Sequence, residues 1–296
     1  MTKKKDNIEQ VATVEQPAGG VNEATIEQQT DTNNEPTEFS SDQTSVPESE
    51  TAKQPEISND SWISVVIPFF AKKNQADEVL LAIQSCNRYL HENIRFVVIG
   101  DPMVATNDYP VDCIEYKDGT GDQSDLLEVL KLAVVSELVS DKFILMEPGS
   151  YLIDDVNFCH IELPKHLGLA NPNRYSGEEA VLINDTVHLL HEFKVPAYDY
   201  NTHCPVVIEK NKLIDLLSEC TQILSGRYHV IFLYNNVYAV HPIRLDFPTD
   251  GWILPVVSQK PDPKTVERLI TGKCFLYLKH FQDNVQYLIP FLDNTK

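Results

Sequence analysis

Several things are scarce in this 296-residue sequence. No stretch approaches the ~20 consecutive apolar residues that span a bilayer, so no membrane span is expected. The six cysteines, Cys86, Cys113, Cys159, Cys204, Cys220 and Cys274, include no C-x-x-C pair. That spacing suits neither a zinc site nor a disulfide framework; reduced thiols, mostly in the core, are expected. Basic residues are few, 24 Lys and Arg against 44 Asp and Glu, for a net charge of −20. Acid repels phosphate backbones, so non-specific nucleic-acid binding is not expected. Internal repeats are missing. So is a glycine-rich phosphate loop: Gly119-x-Gly121 is too short for a dinucleotide fingerprint, and the first strand runs into Pro68-Phe69-Phe70. A P-loop enzyme or Rossmann dehydrogenase is therefore disfavoured.

Large apolar side chains are themselves scarce in residues 1–60, where Phe39 is the only aromatic. Such a segment buries too little to offset an ordering cost of roughly 1–2 kcal/mol per backbone residue. It reads as a disordered acidic tail, available to a protein partner. Lys3-Lys4-Lys5 is basic, but no apolar run follows it, so it does not read as a secretory signal. The expectation is a soluble, cytoplasmic protein.

Residues 61–296 read as one α/β domain with a mostly parallel central sheet flanked by helices. Apolar, β-branched strands are expected at 63–67 and 94–99, with an amphipathic helix at 77–90 between them. A short strand at 111–116 leads through the turn 118–122 to a helix at 124–139, for which Thr120 or Asp122 is the candidate cap. The run 143–147 reads as a buried parallel strand that carries Glu147 at its carboxyl end, stopped by Pro148-Gly149. Ligands of open α/β sheets bind beyond such ends. Further on, 154–164 reads as strand and loop, and 177–193 as a helix with Val181, Leu182, Val187, Leu190 and His191 on one face. An apolar run follows at 206–208, a helix at 212–220, and Tyr234-Asn235-Asn236 as a turn between apolar stretches. A helix at 265–270, a strand at 274–278 and a helix near 284–292 complete the chain.

The opening strand WISVVIPFF, the strand 143–147 and the segment 198–210, YDYNTHCPVVIEK, together resemble a known group. They are similar to small, often phage-encoded, glycosyltransferase-like proteins of glycosyltransferase A-type fold, related in pattern to the Stealth sugar-phosphate transferases. Asp199, His203, Pro205 and Lys210 match that group's segment of aspartate, His-x-Pro, apolar residues and lysine; Tyr234-Asn235-Asn236 resembles a weaker block. The resemblance implies a nucleotide-sugar donor lying across the ends of the strands at 63–67, 94–99 and 143–147. Pro68, Phe69, Asp101, Lys210 and Asn235 would be donor contacts. His203 or Asp199 would be the base on an unknown acceptor hydroxyl, with Glu147 as a further catalytic residue. It also implies a divalent Mn or Mg ion on the diphosphate, held at Glu147. In the relatives that strand ends in Asn-Asp-Asp; here Glu147-Pro148-Gly149-Ser150 stands instead. Two readings follow: a nucleotide-sugar-dependent glycosyltransferase or sugar-phosphate transferase, or an inactive descendant that binds or supports a partner.

The residues themselves allow plainer roles. Glu147 can be a solvated or paired carboxylate, and Asp101 part of a Gly-Asp-Pro turn. Asp199 can orient an imidazole or merely shape a turn, and His203 can hold backbone.

Overall fold

The computed structural model describes residues 62–102, 109–116, 119–245, 251–254 (backbone only) and 262–293. The tail expected at 1–60 lies outside them.

Strand β1 (Ile63–Phe69) is the hub of the main sheet. Helix α1 (Ala76–Tyr89) crosses from it to β2 (Ile94–Gly100), which pairs parallel with β1 along its whole length. Strand β3 (Val111–Glu115) adds parallel to β2, and α2 (Gln123–Val135) returns the chain to β4 (Lys142–Leu145), parallel to β1 on its other side. Alternation sends successive side chains of each strand to opposite faces. Val65, Ile67 and Phe69 join one core with Val79, Ile83 and Cys86 of α1; Val66, Val97, Phe143 and Leu145 join the other with Leu127 and Leu130 of α2. Burial on both faces is why these strands read as unbroken apolar runs.

Past β4 the chain turns sharply. Ser150 N–H donates to Glu147 O at 3.0 Å, and Gly149 has φ +87°. Proline followed by a left-handed glycine is the pattern of a type II turn. It delivers β5 (Ser150–Leu152) into a second sheet. The short helix α3 (Phe158–Glu162), capped by the Asn157 side chain, replaces the strand and loop expected at 154–164. Strand β6 (Lys165–His166) is followed by α4 (Gly177–Glu192), which buries Ile183, Thr186, Leu189 and Leu190. Val181 and His191, expected on the inner face, are exposed. Strand β7 (Val206–Glu209) pairs antiparallel with β4 and completes the order β3-β2-β1-β4-β7. Helix α5 (Lys210–Glu219) then leads to α6 (Val230–Tyr238). Tyr234-Asn235-Asn236 thus lies inside a helix, not a turn, because Val230 to Leu233 are buried and fix the segment's packing.

Strand β8 (Ile243–Arg244) pairs with β6. Strand β9 (Gly251–Leu254), helix α7 (Pro263–Ile270) and strand β10 (Phe275–Leu278) follow, and β10 lies between β5 and β9. The single helix expected near 284–292 is broken into α8 (Phe281–Asn284), a 3-10 turn and α9 (Ile289–Leu292); Pro290 in the first turn of α9 has no N–H to continue an earlier helix. All six cysteines are free thiols. Only Cys86 and Cys220 are buried, and Cys113 and Cys159 are exposed, so the expectation of mostly core cysteines fails.

Asp122 caps α2, accepting from Ser124 N–H and Asp125 N–H. The buried Asp125 carboxylate then gathers the turn before it. It accepts from Thr120 N–H at 2.5 Å, Gly121 N–H at 2.7 Å and Tyr116 O–H at 2.7 Å. Burial works to raise this carboxyl, but the donors together hold it below the usual carboxylate range. A group lowered in the folded state stabilises fully above its ordinary value and loses that contribution as pH falls through the folded one. Asp125→Asn is expected to cost about 1–3 kcal/mol at pH 7, measured by urea unfolding. The gap between the two proteins is expected to stay constant down to about pH 4 and to narrow below it. A gap unchanged at lower pH would contradict the assignment.

Candidate functional site

The strand order reverses between β1 and β4, since β2 and β3 continue to one side and β4 to the other. Such a switch point opens a crevice beyond the carboxyl ends of the strands. A cleft of about 230 Å³ lies there. The end of β1 contributes Pro68, the segment after it Phe70 and Lys73, and the turn after β4 Glu147 and Pro148. Gly121 to Gln123 form one wall at the start of α2; Glu179 and Leu182 of α4, Asn201, His203, His229 and Tyr277 form the other.

The segment after β1 is braced from β2. Asp101 Oδ2 accepts from Ala71 N–H at 2.7 Å, and Asp101 N–H donates to Phe69 O at 2.8 Å. Gly100 makes that approach possible: with φ +144°, a Cβ there would stand 2.0 Å from Phe69 O. Lys73 Nζ donates to Gly121 O at 2.5 Å across the cleft.

Glu147 and His203 meet at the centre. His203 Nδ1 is 2.9 Å from Glu147 Oε2. The imidazole stacks on Tyr277, with ring centroids 4.1 Å apart and planes 11° apart. Ser150 Oγ donates to His203 O at 2.7 Å. The backbone of His203 is left-handed, φ +55°, a conformation that costs a non-glycine residue about 1–2 kcal/mol. Burial would raise the carboxyl and lower the imidazole, but the contact between them outweighs it. Glu147, helped by the charge of Lys73, is held down to about 2, and His203 is pushed above its ordinary value. A carboxylate only accepts, so Nδ1 carries the proton it shares with Glu147. Nε2 forms no hydrogen bond among the described residues. His229, in the same wall, is pushed down by its burial; its Nδ1 accepts from Phe232 N–H at 3.4 Å at the start of α6.

The other expected site residues divide. Pro68 lines the cleft, but Phe69 points to the opposite face of β1 and is core, as the two-residue period of a strand requires. Asp101 is spent on the Ala71 brace. Asp199 does not orient His203. It is fully buried and accepts from Tyr175 O–H at 2.7 Å and Asn201 N–H at 3.1 Å. It reaches the cleft only through Asn201, whose Nδ2 donates to Glu179 at 2.7 Å. Lys210 lies toward the amino end of β4, where its backbone N–H donates to Asp141 O. Its Nζ donates to Ser136 O at 2.8 Å and Val139 O at 2.6 Å, so it anchors the chain leaving α2 and does not meet the cleft. Asn235 lies in α6 beside a different hollow, with Glu209 and Tyr238. Its neighbour Asn236 holds Tyr198 through both backbone groups. No local motif marks Lys73, Glu179, His229 or Tyr277, while Asn201 lies within the segment 198–210 without having a role of its own there.

A divalent ion on a diphosphate takes hard oxygen ligands at near-ideal geometry. Among the described residues no group of three or more His, Cys, Asp or Glu side chains is arranged to hold a metal. Glu147 is already paired with an imidazole, and Asp155, eight residues later and beyond the other end of β5, is paired with His91 at 3.0 Å. One engaged carboxylate beside a Pro-Gly turn does not fit the ion that the resemblance implies. No protein-family model and no curated protein matches this sequence. No helix among the described residues is long and apolar enough to cross a membrane.

The left-handed backbone gives a direct check. His203→Gly and His203→Ala both remove the ring, but only alanine retains the penalty at φ +55°. The glycine variant is expected to be the more stable by about 1 kcal/mol in urea unfolding. Equal or reversed stabilities would show that the backbone at 203 is not held left-handed.

Proposed function

We propose that the chain is a glycosyltransferase of glycosyltransferase A-type fold, moving a sugar or sugar phosphate from a nucleotide-linked donor to an acceptor hydroxyl. The observation that carries this reading is the Glu147–His203 contact in the crevice at the β1–β4 switch point. It is supported by the parallel order β3-β2-β1-β4 with an antiparallel β7 and by the sequence resemblance at the same two segments.

With Glu147 accepting from Nδ1–H, the neutral imidazole keeps a lone pair on Nε2, the arrangement of an oriented general base. In sugar transfer, the acceptor oxygen bonds to the anomeric carbon, the bond from that carbon to the donor phosphate oxygen breaks, and the hydroxyl proton passes to Nε2. The nucleotide leaves with the bonding pair. For sugar-phosphate transfer the same base takes the hydroxyl proton: the acceptor oxygen bonds to the sugar-linked phosphorus, the bond from that phosphorus to the bridging oxygen breaks, and the nucleoside monophosphate leaves with the bonding pair.

One observation favours the second reading, a cleft that binds without turning over. The turn at Pro148-Gly149 leaves a single carboxylate where the relatives carry more.

Thermal-shift screening against uridine- and guanosine-diphosphate sugars, followed by a transfer assay on any that bind, separates the two. The enzyme reading expects a rise in Tm and turnover that falls about 10²–10⁴-fold in His203→Ala. Glu147 pushes His203 above its ordinary 6.5, and the base must be unprotonated. kcat/KM is thus expected to climb with pH through a value above 6.5, and Glu147→Gln to move that limb to lower pH. Binding without turnover would select the inactive reading; no Tm response to any donor would remove both.

A further inference from the structure

The cleft continues past Tyr277 into a second hollow of about 330 Å³. Lys73, Asn74, Pro148 and Tyr277 line both, and Lys279 and His280 join them in the second. Two ammonium groups therefore face one continuous recess in a chain of net charge −20. Neither is neutralised. The Lys279 side chain forms no hydrogen bond or ion pair among the described residues, and among them Lys73 Nζ meets only the Gly121 carbonyl.

The nearby carboxylates are mostly turned to other partners. Glu147 is bonded to His203, Glu179 accepts from Asn201, and the buried Glu78 accepts from Asn74 Nδ2 at 3.2 Å. Asp122 of the cleft accepts from Ser124 N–H and Asp125 N–H, and Asp283 also lines the second hollow. Lys73 acts electrostatically on Glu147 and Lys279 on His203, so both reach the centre of the site from their side.

We propose that this recess binds the phosphate groups of its ligand directly on Lys73 and Lys279, with no divalent ion between protein and phosphate. The proposal rests on the donor reading above and specifies how the donor is held. An acidic surface repels an anion everywhere except where cations are concentrated in a concave site. Lysine binds phosphate as a point charge and needs no fixed fork geometry. The ion that the resemblance calls for lacks its oxygen ligands, while the charge it would supply is already present as two lysines.

The test is calorimetric titration of the full chain with inorganic pyrophosphate, once in EDTA and once in Mn²⁺. Binding in EDTA is expected, with no requirement for Mn²⁺. Lys279→Ala is expected to weaken binding about tenfold with Tm unchanged, since Lys279 is exposed and unpaired. Lys73→Gln is expected to weaken it similarly. Binding that appears only with Mn²⁺, no binding in either condition, or Lys279→Ala without effect would each overturn the proposal. A uridine-diphosphate sugar titrated in the same two conditions separates this from the donor reading. Sugar-nucleotide binding that requires Mn²⁺ removes the present inference and leaves the donor reading intact. Pyrophosphate binding in EDTA with no response to any sugar nucleotide does the reverse.

Discussion

The parallel pairing of Ser64, Val65 and Val66 with Phe143, Ile144 and Leu145 positions everything at the cleft. It sets β4 on the side of β1 away from β2 and so creates the crevice. Its register also decides which residues reach that crevice. β4 ends at Leu145, Met146 N–H still reaches Val66 O at 3.0 Å, and Glu147 is the first side chain past the ladder. A slip of one residue would exchange the faces of β4 and send Glu147 elsewhere. Six of the paired positions are 3% exposed or less, and that burial holds the register.

His203 depends on the same frame. Its left-handed backbone costs about 1–2 kcal/mol. The ring stack on Tyr277 contributes about 0.5–1.5 kcal/mol, and the Ser150 hydrogen bond about 0.5–1.5 kcal/mol. The ion pair adds little, about 0.2–1 kcal/mol, because its side chains are 25% and 42% exposed. These contacts together meet or exceed the cost, and two of the three come from the second sheet, through Ser150 of β5 and Tyr277 of β10. The second sheet therefore acts as the clamp that keeps the imidazole against Glu147. His280, also left-handed at φ +56°, lies at the same end of β10, its carbonyl and that of Lys279 accepting from Asn284 Nδ2.

Much of this frame is legible in the sequence, for a physical reason. The strands expected at 63–67, 94–99 and 143–147 are buried on both faces, so each reads as a continuous apolar run; all three form, but β4 stops at Leu145 and leaves Glu147 in the turn beyond it. The Asp122 cap is equally local. What fails is what depends on distant contacts. β5 has three residues and pairs with a strand more than 120 residues later, which no local pattern announces. Asp199 is near His203 in sequence, yet its carboxylate turns inward to Tyr175. Asn235 and Asn236 have turn chemistry, but burial of their apolar neighbours makes a helix of them. Lys210 matches a motif and serves as a buried anchor. Nothing in the sequence marks a left-handed histidine.

The turn at Pro148-Gly149 follows from the same geometry. A type II turn takes proline at its second position and glycine, with positive φ, at its third. Here that turn is what carries the chain from the main sheet to the clamp, with Leu278 N–H donating to Gly149 O at 2.8 Å. A Cβ at 149 would lie 3.2 Å from Leu278 O, on a backbone at φ +87°. An aspartate there would add strain and bring a carboxylate toward a carbonyl oxygen. An acid at 148 would give up the fixed φ that favours the turn. A second carboxylate after Glu147 would thus weaken the turn that places Ser150 and Tyr277 around His203. The backbone at 148–149 therefore favours a clamped imidazole beside a single glutamate over an acidic pair at this strand end.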